Sequence, residues 1–305
     1  MFQTFEVFKY WFQSKLKSKY VEITSTVAYI VMSIYKIILL LTRQDVQWFA
    51  VSNSIEFFVV AVLLYILYKK NGGSKLSFSK KYAVSLLNKS KYFIVSGLMV
   101  AVYNSTDKFM LKLMISGAEV AYYTTAVTLA NLSPILLNAI IESLTPGILK
   151  SFNKDKKEFE EKNIRLYSIV FYISLFVSIF VCLFSKPIIL LLYGNSYYSA
   201  VPVLSILTWY VMFSYLGVAR NTWIISMNKQ NKLTYIYFLC AILNIILNYL
   251  LIPLYGASGA AFASLITQFS TVFIFPLFIR EIRKNTFLMV KGIFYIFKFF
   301  KKKNY

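Results

Sequence analysis

The sequence predicts an all-α polytopic membrane protein with about eight transmembrane helices, and three observations predict it. First, 58% of the 305 residues are hydrophobic and the mean hydropathy is +0.62. Second, several apolar runs approach or exceed the roughly 20 residues that carry an α-helix across a bilayer. Third, the basic residues stand in blocks between those runs. With eight spans, 28 of the 33 Lys and Arg fall on one side, three (Arg43, Lys112 and Lys186) on the other, and Lys36 and Lys108 within spans. Basic loops stay in the cytoplasm, so both termini are expected there.

The same patterning excludes other classes. A net charge of +21 would suit nucleic acid if it were gathered on a soluble face; distributed as span-flanking blocks, it predicts no nucleic-acid partner. Cys182 and Cys240 both lie inside apolar runs, which supports no disulfide framework. Histidine is absent, removing His triads, His metal sites and imidazole relays, and no metal or cofactor is expected.

Met1–Tyr20 is basic and aromatic, suited to a membrane surface, and has no small-residue cleavage site, so the first span should direct insertion. That span is about Val21–Leu41, with Lys36 inside it. The turn TRQDV leads to the second, about Gln47–Tyr68, which carries Asn53 and Glu56. A basic connector, Lys69–Lys91, opens at Asn71-Gly72-Gly73; its Leu76, Tyr82, Ala83, Leu86 and Leu87 recur at helical spacing, as in an interfacial amphipathic helix. The expected division is 1–68, 69–91 as linker, 92–279 as a six-helix body and 280–305 as a cytoplasmic tail.

The third span, Tyr92–Met110, ends in Asn104, Ser105, Thr106, Asp107 and Lys108. An Asp or Lys at mid-span costs roughly 2.5–3.5 kcal/mol on insertion scales, so both need a polar lumen, a partner or a nearby interface. The fourth span, inside Val120–Leu149, carries Asn131, Asn138 and Glu142, and Pro134 is expected to kink it. The fifth is about Ile164–Phe184. Ser185–Ala200 reads as a half-buried segment ending in a Tyr-rich turn, and the sixth span as Val201–Ala219, with Arg220 an anchor at the cytoplasmic interface. Leu233–Ile252 is the seventh, Pro253–Gly256 the turn, and Ala257–Ile279 the eighth. The tail has an apolar run of about fourteen residues broken by Lys291 and Lys298, too short to span and expected to lie on the membrane surface.

Several intramembrane polar residues are candidates for a translocation path. Lys36 and Glu56 differ in depth by about four residues, or roughly 6 Å. Either they pair within the hairpin (or Lys36 snorkels), or both face a hydrated cavity. Asp107 and Lys108 are about 100° apart on a helix, which directs one inward and the other toward the outer headgroups. Glu142 lies near the inner end of its span. Asn244 and Asn248, four apart, share a face for bonding across helices or for lining a polar path. Gly256, Ala260 and Ser264 form one small-residue stripe and Gly259 with Ala263 the next, a pattern for close helix packing.

Asn248–Gly256 followed by Gly259-Ala260-Ala261-Phe262-Ala263-Ser264 resembles the LNxxLIPxxGxxGAAxAT-type hairpin of polysaccharide flippases. These include the O-antigen (Wzx-type) transporters of the multidrug/oligosaccharidyl-lipid/polysaccharide exporter superfamily. Asp107-Lys108-Phe109-Met110 is similar to the family's DxxM, Glu119–Tyr123 to its following vgxY, and Pro187–Leu204 to its P-I-x-x-L-L-(Y/F)-G-x-x-Y-x-x-A element, all in family order. Members usually have about twelve spans in two lobes. The resemblance therefore implies the last two helices of one lobe and a complete second lobe, with the first four spans lacking.

The resemblance implies a flippase, not an enzyme. It would move an undecaprenyl-pyrophosphate-linked O-antigen or other lipopolysaccharide or polysaccharide repeat unit across the bacterial inner membrane by alternating access. The implied partners are that lipid-linked oligosaccharide, membrane lipids, and glycan polymerase or chain-length proteins of the same pathway. Lys36 would meet the pyrophosphate and Asp107 would couple to an ion gradient or gate. Rival readings are a drug/cation antiporter of the superfamily, a membrane glycan polymerase or an inactive truncated remnant. A polymerase needs a sizeable outer catalytic loop, and the longest outer segment, Ser185–Ala200, has no acidic residue.

Overall fold

A computed structural model describes residues 7–15, 17–74, 77–132, 134–152 and 154–295, and among these no strand occurs. Ten α-helices follow one another: α1 (Val7–Ser14), α2 (Ser18–Leu41), α3 (Val46–Lys70), α4 (Lys80–Met114), α5 (Gly117–Ala130), α6 (Pro134–Phe152), α7 (Lys156–Tyr193), α8 (Ala200–Ser226), α9 (Gln230–Phe269) and α10 (Arg280–Ile293). The chain is thus an all-α polytopic membrane protein. Five described segments are long and apolar enough to cross a membrane: Lys19–Leu41, Gln47–Lys70, Lys156–Tyr193, Ala200–Ser226 and Gln230–Phe278. The last is folded on itself and supplies two arms. Leu76 and Lys298 lie outside the described residues, as do the side chains of Asn53 and Asn104.

The chain divides into two compact units, Met1–Ala83 and Val84–Tyr305. In the first, α2 and α3 form a hairpin whose turn places Arg43 at φ 51°. Their outward residues, such as Ile30, Ile34, Phe57 and Phe58, are exposed apolar side chains, as a lipid-facing surface requires. α1 does not simply lie on a surface: Phe8 and Phe12 are buried with Val21, Leu64 and Tyr68, and the Trp11 ring meets Tyr68 edge-on at 4.9 Å. Gly72, at φ 77°, ends α3 in the left-handed region that glycine tolerates.

In the second unit α8 is the central helix, packed by α5, α6, α7 and α9. One apolar cluster joins Leu111, Tyr123, Leu204, Leu207 and Ile252; a second joins Leu166, Tyr167, Leu216, Ile236 and Met289. α4 is a single helix, so the expected connector helix at Tyr82–Leu87 is continuous with the one that carries Asp107. Pro134 does not kink a continuous helix. The chain breaks at Asn131-Leu132 and Pro134 opens α6, the position where its missing N–H costs nothing. Nor is Ser185–Ala200 a separate segment: α7 runs through Pro187 to Tyr193, and Gly194 at φ 77° ends it.

The two arms of α9 meet at Gly256 (φ 56°, ψ −132°), just after Pro253. A Cβ on Gly259 would clash with the Leu251 carbonyl oxygen, so the small residue there lets the arms close. Glu119 completes the turn from α5 by accepting the Ala257 N–H at 2.6 Å, which caps the second arm. That arm passes into a π-helical turn, Ser270–Ile274. α10 packs against α7: Asn285 donates to the Tyr167 hydroxyl at 2.6 Å, Tyr172 donates to the Ile293 carbonyl at 2.6 Å, and Lys284 pairs with Glu160. Ile282, Leu288 and Met289 are buried beneath it.

Candidate functional site

The last turns of α4 dock into the second unit through Asp107 and Leu111, four residues apart and both buried. Asp107 is an acid inside an apolar bundle, and its neighbours are all hydrogen-bond donors. Oδ2 accepts from the Tyr123 hydroxyl at 2.5 Å and from Ser264 Oγ at 2.6 Å. Oδ1 accepts from Asn248 Nδ2 at 2.6 Å and Asn244 Nδ2 at 3.2 Å. Among the described residues no Lys or Arg forms an ion pair with it. Desolvation of a carboxylate is offset here by hydrogen bonds, which are worth about 1.5–3 kcal/mol each when one partner is charged.

Local sequence explains the convergence. The spacing of Asn244 and Asn248 puts both amides on one face of α9, and the closed hairpin brings Ser264 of the second arm beside them. Tyr123 lies on the face of α5 that also buries Ala126 and Ala130. A carboxylate with a full set of donors holds four helical segments in one arrangement. On gaining a proton it must donate, and the Tyr123 and Ser264 hydroxyls or the amides must reorient to accept. The arrangement is suited to switching with charge.

A cavity of ≈ 240 Å³ opens beside it, with Asp107, Lys108, Tyr123, Asn131, Tyr210 and Ser264 as its polar wall and Val127 and Leu207 among its apolar lining. A second, of ≈ 190 Å³, shares Tyr210 and is lined by Ser214, Arg220, Asn221, Tyr237 and Gln268.

Of the residues marked in the sequence, the structure brings together Asp107, Asn244 and Asn248 by hydrogen bonds, with Lys108 and Asn131 on the same cavity. Lys108 is half-buried and lines the cavity next to the buried Asp107. Glu142 is exposed on α6, away from either cavity lining. Lys36 and Glu56 are half-buried on α2 and α3 in the first unit. Gly256, Gly259, Ala260 and Ala263 pack the α9 hairpin, the latter three buried. Ser264, on the small-residue stripe, binds the carboxylate as well as packing the hairpin. Tyr123 closes the vgxY-like element, and the sequence gives no sign that its hydroxyl meets Asp107. Arg220 is fully buried within α8, not at an interface, because α8 continues to Ser226.

Residues 3–202 match the family described as polysaccharide biosynthesis protein. An uncharacterized membrane protein of Methanocaldococcus jannaschii is 24% identical over 257 residues, covering 80% of this chain and 50% of that protein. The capsular polysaccharide biosynthesis protein CapF of Staphylococcus aureus is 24% identical over 61% of this chain and 48% of its own length. A protein of Haloferax volcanii named as the probable low-salt glycan biosynthesis flippase Agl15 is 26% identical over 61% of this chain and 40% of its own. The chain thus spans half the length of these relatives or less. No solved structure matches it. With nearly two thirds of its residues matched by one family, the chain belongs to the polysaccharide biosynthesis protein family.

Proposed function

We propose that the chain works in a flippase that carries lipid-linked glycan repeat units across the cytoplasmic membrane by alternating access. In this reading it crosses the membrane about eight times with both termini in the cytoplasm, supplying two helices of one lobe and six of the other. The observation that carries it is the buried Asp107, which is held by donors from α5 and both arms of α9 and faces a mixed polar and apolar cavity. Membership of the polysaccharide biosynthesis family and the names of two relatives support a glycan substrate.

The substrate class has a polyprenyl tail, an anionic diphosphate and a polar glycan. Asp107 is the gating or ion-coupling group: its charge fixes the relation of α4 to the α9 hairpin, and protonation releases it. Lys36, in the first unit, is the basic residue proposed for the diphosphate. The test is complementation of a flippase-deficient bacterial strain by this chain, alone and with a partner supplying the remaining spans of a relative. Restored surface glycan, lost in Asp107→Asn at equal membrane levels, is the expected result. Glycan restored equally by Asp107→Asn would remove Asp107 from the mechanism, and no restoration with either arrangement would sink the reading.

A further inference from the structure

Among the described residues Arg220 is the largest fully buried side chain, and it has no acidic partner. Its Nη1 donates to the Thr271 carbonyl at 2.9 Å, inside the π-helical turn of the second α9 arm. Nε and Nη2 are buried with no hydrogen-bond partner among the described residues. Those two atoms form one edge of the guanidinium plane, with parallel N–H bonds, and that edge makes side-on bidentate contact with an oxyanion. Arginine does not discharge by losing its proton, so the unpaired edge calls for a negative partner. The bond to Thr271 presets the plane of the guanidinium while leaving that edge whole.

The surroundings fit the same ligand. Arg220 stands at the wall of the ≈ 190 Å³ cavity, beside Ser214, Asn221, Tyr237 and Gln268, which supply hydroxyl and amide groups. Asn221 Oδ1 is also buried without a partner, an acceptor ready for a hydroxyl next to the anion. π-Helical turns recur at functional sites because they displace a carbonyl from the regular ladder.

We infer that the Arg220 cavity is a phosphoryl-oxyanion subsite in the second unit. It deepens the flippase reading, on which its assignment to the diphosphate of a lipid-linked substrate rests; the anion site itself stands on the unpaired guanidinium edge. A bilayer lipid phosphate shares the chemistry, and the test separates the two sources.

The test uses the full 305-residue chain in neutral-lipid nanodiscs, titrated with inorganic pyrophosphate and with farnesyl diphosphate, and in parallel nanodiscs enriched in phosphatidylglycerol. Binding is read as a dissociation constant and a melting shift. Arg220→Gln should weaken diphosphate binding at least tenfold. Arg220→Lys should weaken it several-fold, because a point charge cannot replace the fork. If Arg220→Gln does not fold, Ser214→Leu keeps the guanidinium and its Thr271 bond while narrowing the cavity, and it should lose binding as well. Competition by phosphatidylglycerol marks the bilayer as a source of the anion, and its absence marks the diphosphate. Diphosphate affinity unchanged within twofold in a folded Arg220→Gln and in Ser214→Leu overturns the inference. If wild-type complementation succeeds in that case, the flippase reading survives; if complementation fails while Arg220-dependent binding persists, the subsite stands and the flippase reading falls.

Discussion

Replacement of Ser264 by alanine tests whether Asp107 is charged and held by its donors. The hydroxyl lies 2.6 Å from Oδ2 and both residues are buried. A hydrogen bond to a buried charge is worth about 1.5–3 kcal/mol, and one between neutral groups about 1 kcal/mol. Ser264→Ala should therefore destabilise the wild type by about 1.5–3 kcal/mol. In an Asp107→Asn background the same change should cost only about 0.5–1.5 kcal/mol, because the acceptor is neutral. The coupling in the double-mutant cycle is then roughly 1–2 kcal/mol, well above the 0.3–0.5 kcal/mol within which independent sites add. Reversible unfolding in mixed micelles, followed by helix-specific circular dichroism, measures all four corners. Additivity within about 0.5 kcal/mol would refute the charged, donor-held carboxylate.

Other perturbations probe the scaffold. Gly256→Ala places a β-carbon 2.5 Å from Glu119 Oε2 at a φ of 56°; strain at such a position costs about 1–3 kcal/mol, read as a fall in melting temperature, and no fall would mean the hinge is soft. Glu119→Ala removes the cap at Ala257 and should cost about 0.5–2 kcal/mol by the same measurement. Tyr167→Phe takes away the hydroxyl that accepts from Asn285, leaving a buried amide unpaired at about 1–3 kcal/mol; hydrogen exchange in 280–293 should quicken and exchange elsewhere should not. Glu281 accepts a hydrogen bond from Lys232 at 2.9 Å, which holds its carboxyl below the usual carboxylate range. A depressed value in the folded chain means the contribution is full above the unfolded value of roughly 4.3 and lost as pH falls through the folded one. Exchange protection of α10 should drop across that acid window, and Glu281→Gln should abolish the dependence; a drop of equal size in Glu281→Gln would assign it elsewhere.

The helices were legible in the sequence because hydrophobic length and loop charge are local properties. Asn244 and Asn248 were legible for the same reason, since a spacing of four fixes a shared face whatever the tertiary structure. What those amides bind was not legible: Asp107 is more than a hundred residues away, and only closure of the α9 hairpin brings Ser264 to it. Arg220 shows the opposite failure. Counting charges near the end of an apolar run makes it an anchor, yet α8 continues for six more residues, among them the buried Trp223 and Ile224. Polar residues that lie inward against other helices do not reveal the end of a helix through hydropathy. The docking of α10 is another case. Arg280–Ile293 has the amphipathic pattern of a membrane-surface helix, but its apolar face meets α7, and periodicity does not say which apolar surface a stripe will find.

Asp107 on α4 and Arg220 on α8 bond to two successive levels of the segment that follows Gly256. Ser264, bonded to Asp107, and Thr271, bonded to Arg220, are seven residues apart, or about 10 Å at helical rise. Two unit charges at 10 Å interact by roughly 1.7 kcal/mol at an effective dielectric of 20. An anion on Arg220 is therefore repelled by a charged Asp107, and removing that charge should strengthen pyrophosphate binding by roughly tenfold per unit of anion charge. Asp107→Asn in neutral nanodiscs is the direct measurement. Added salt should leave most of the difference, since buried charges are screened little. An unchanged pyrophosphate dissociation constant would mean that the two buried charges do not sense each other. If it tightens, the cavities on either side of Tyr210 are linked by electrostatics, and an acid at one depth sets the grip on an anion at the other.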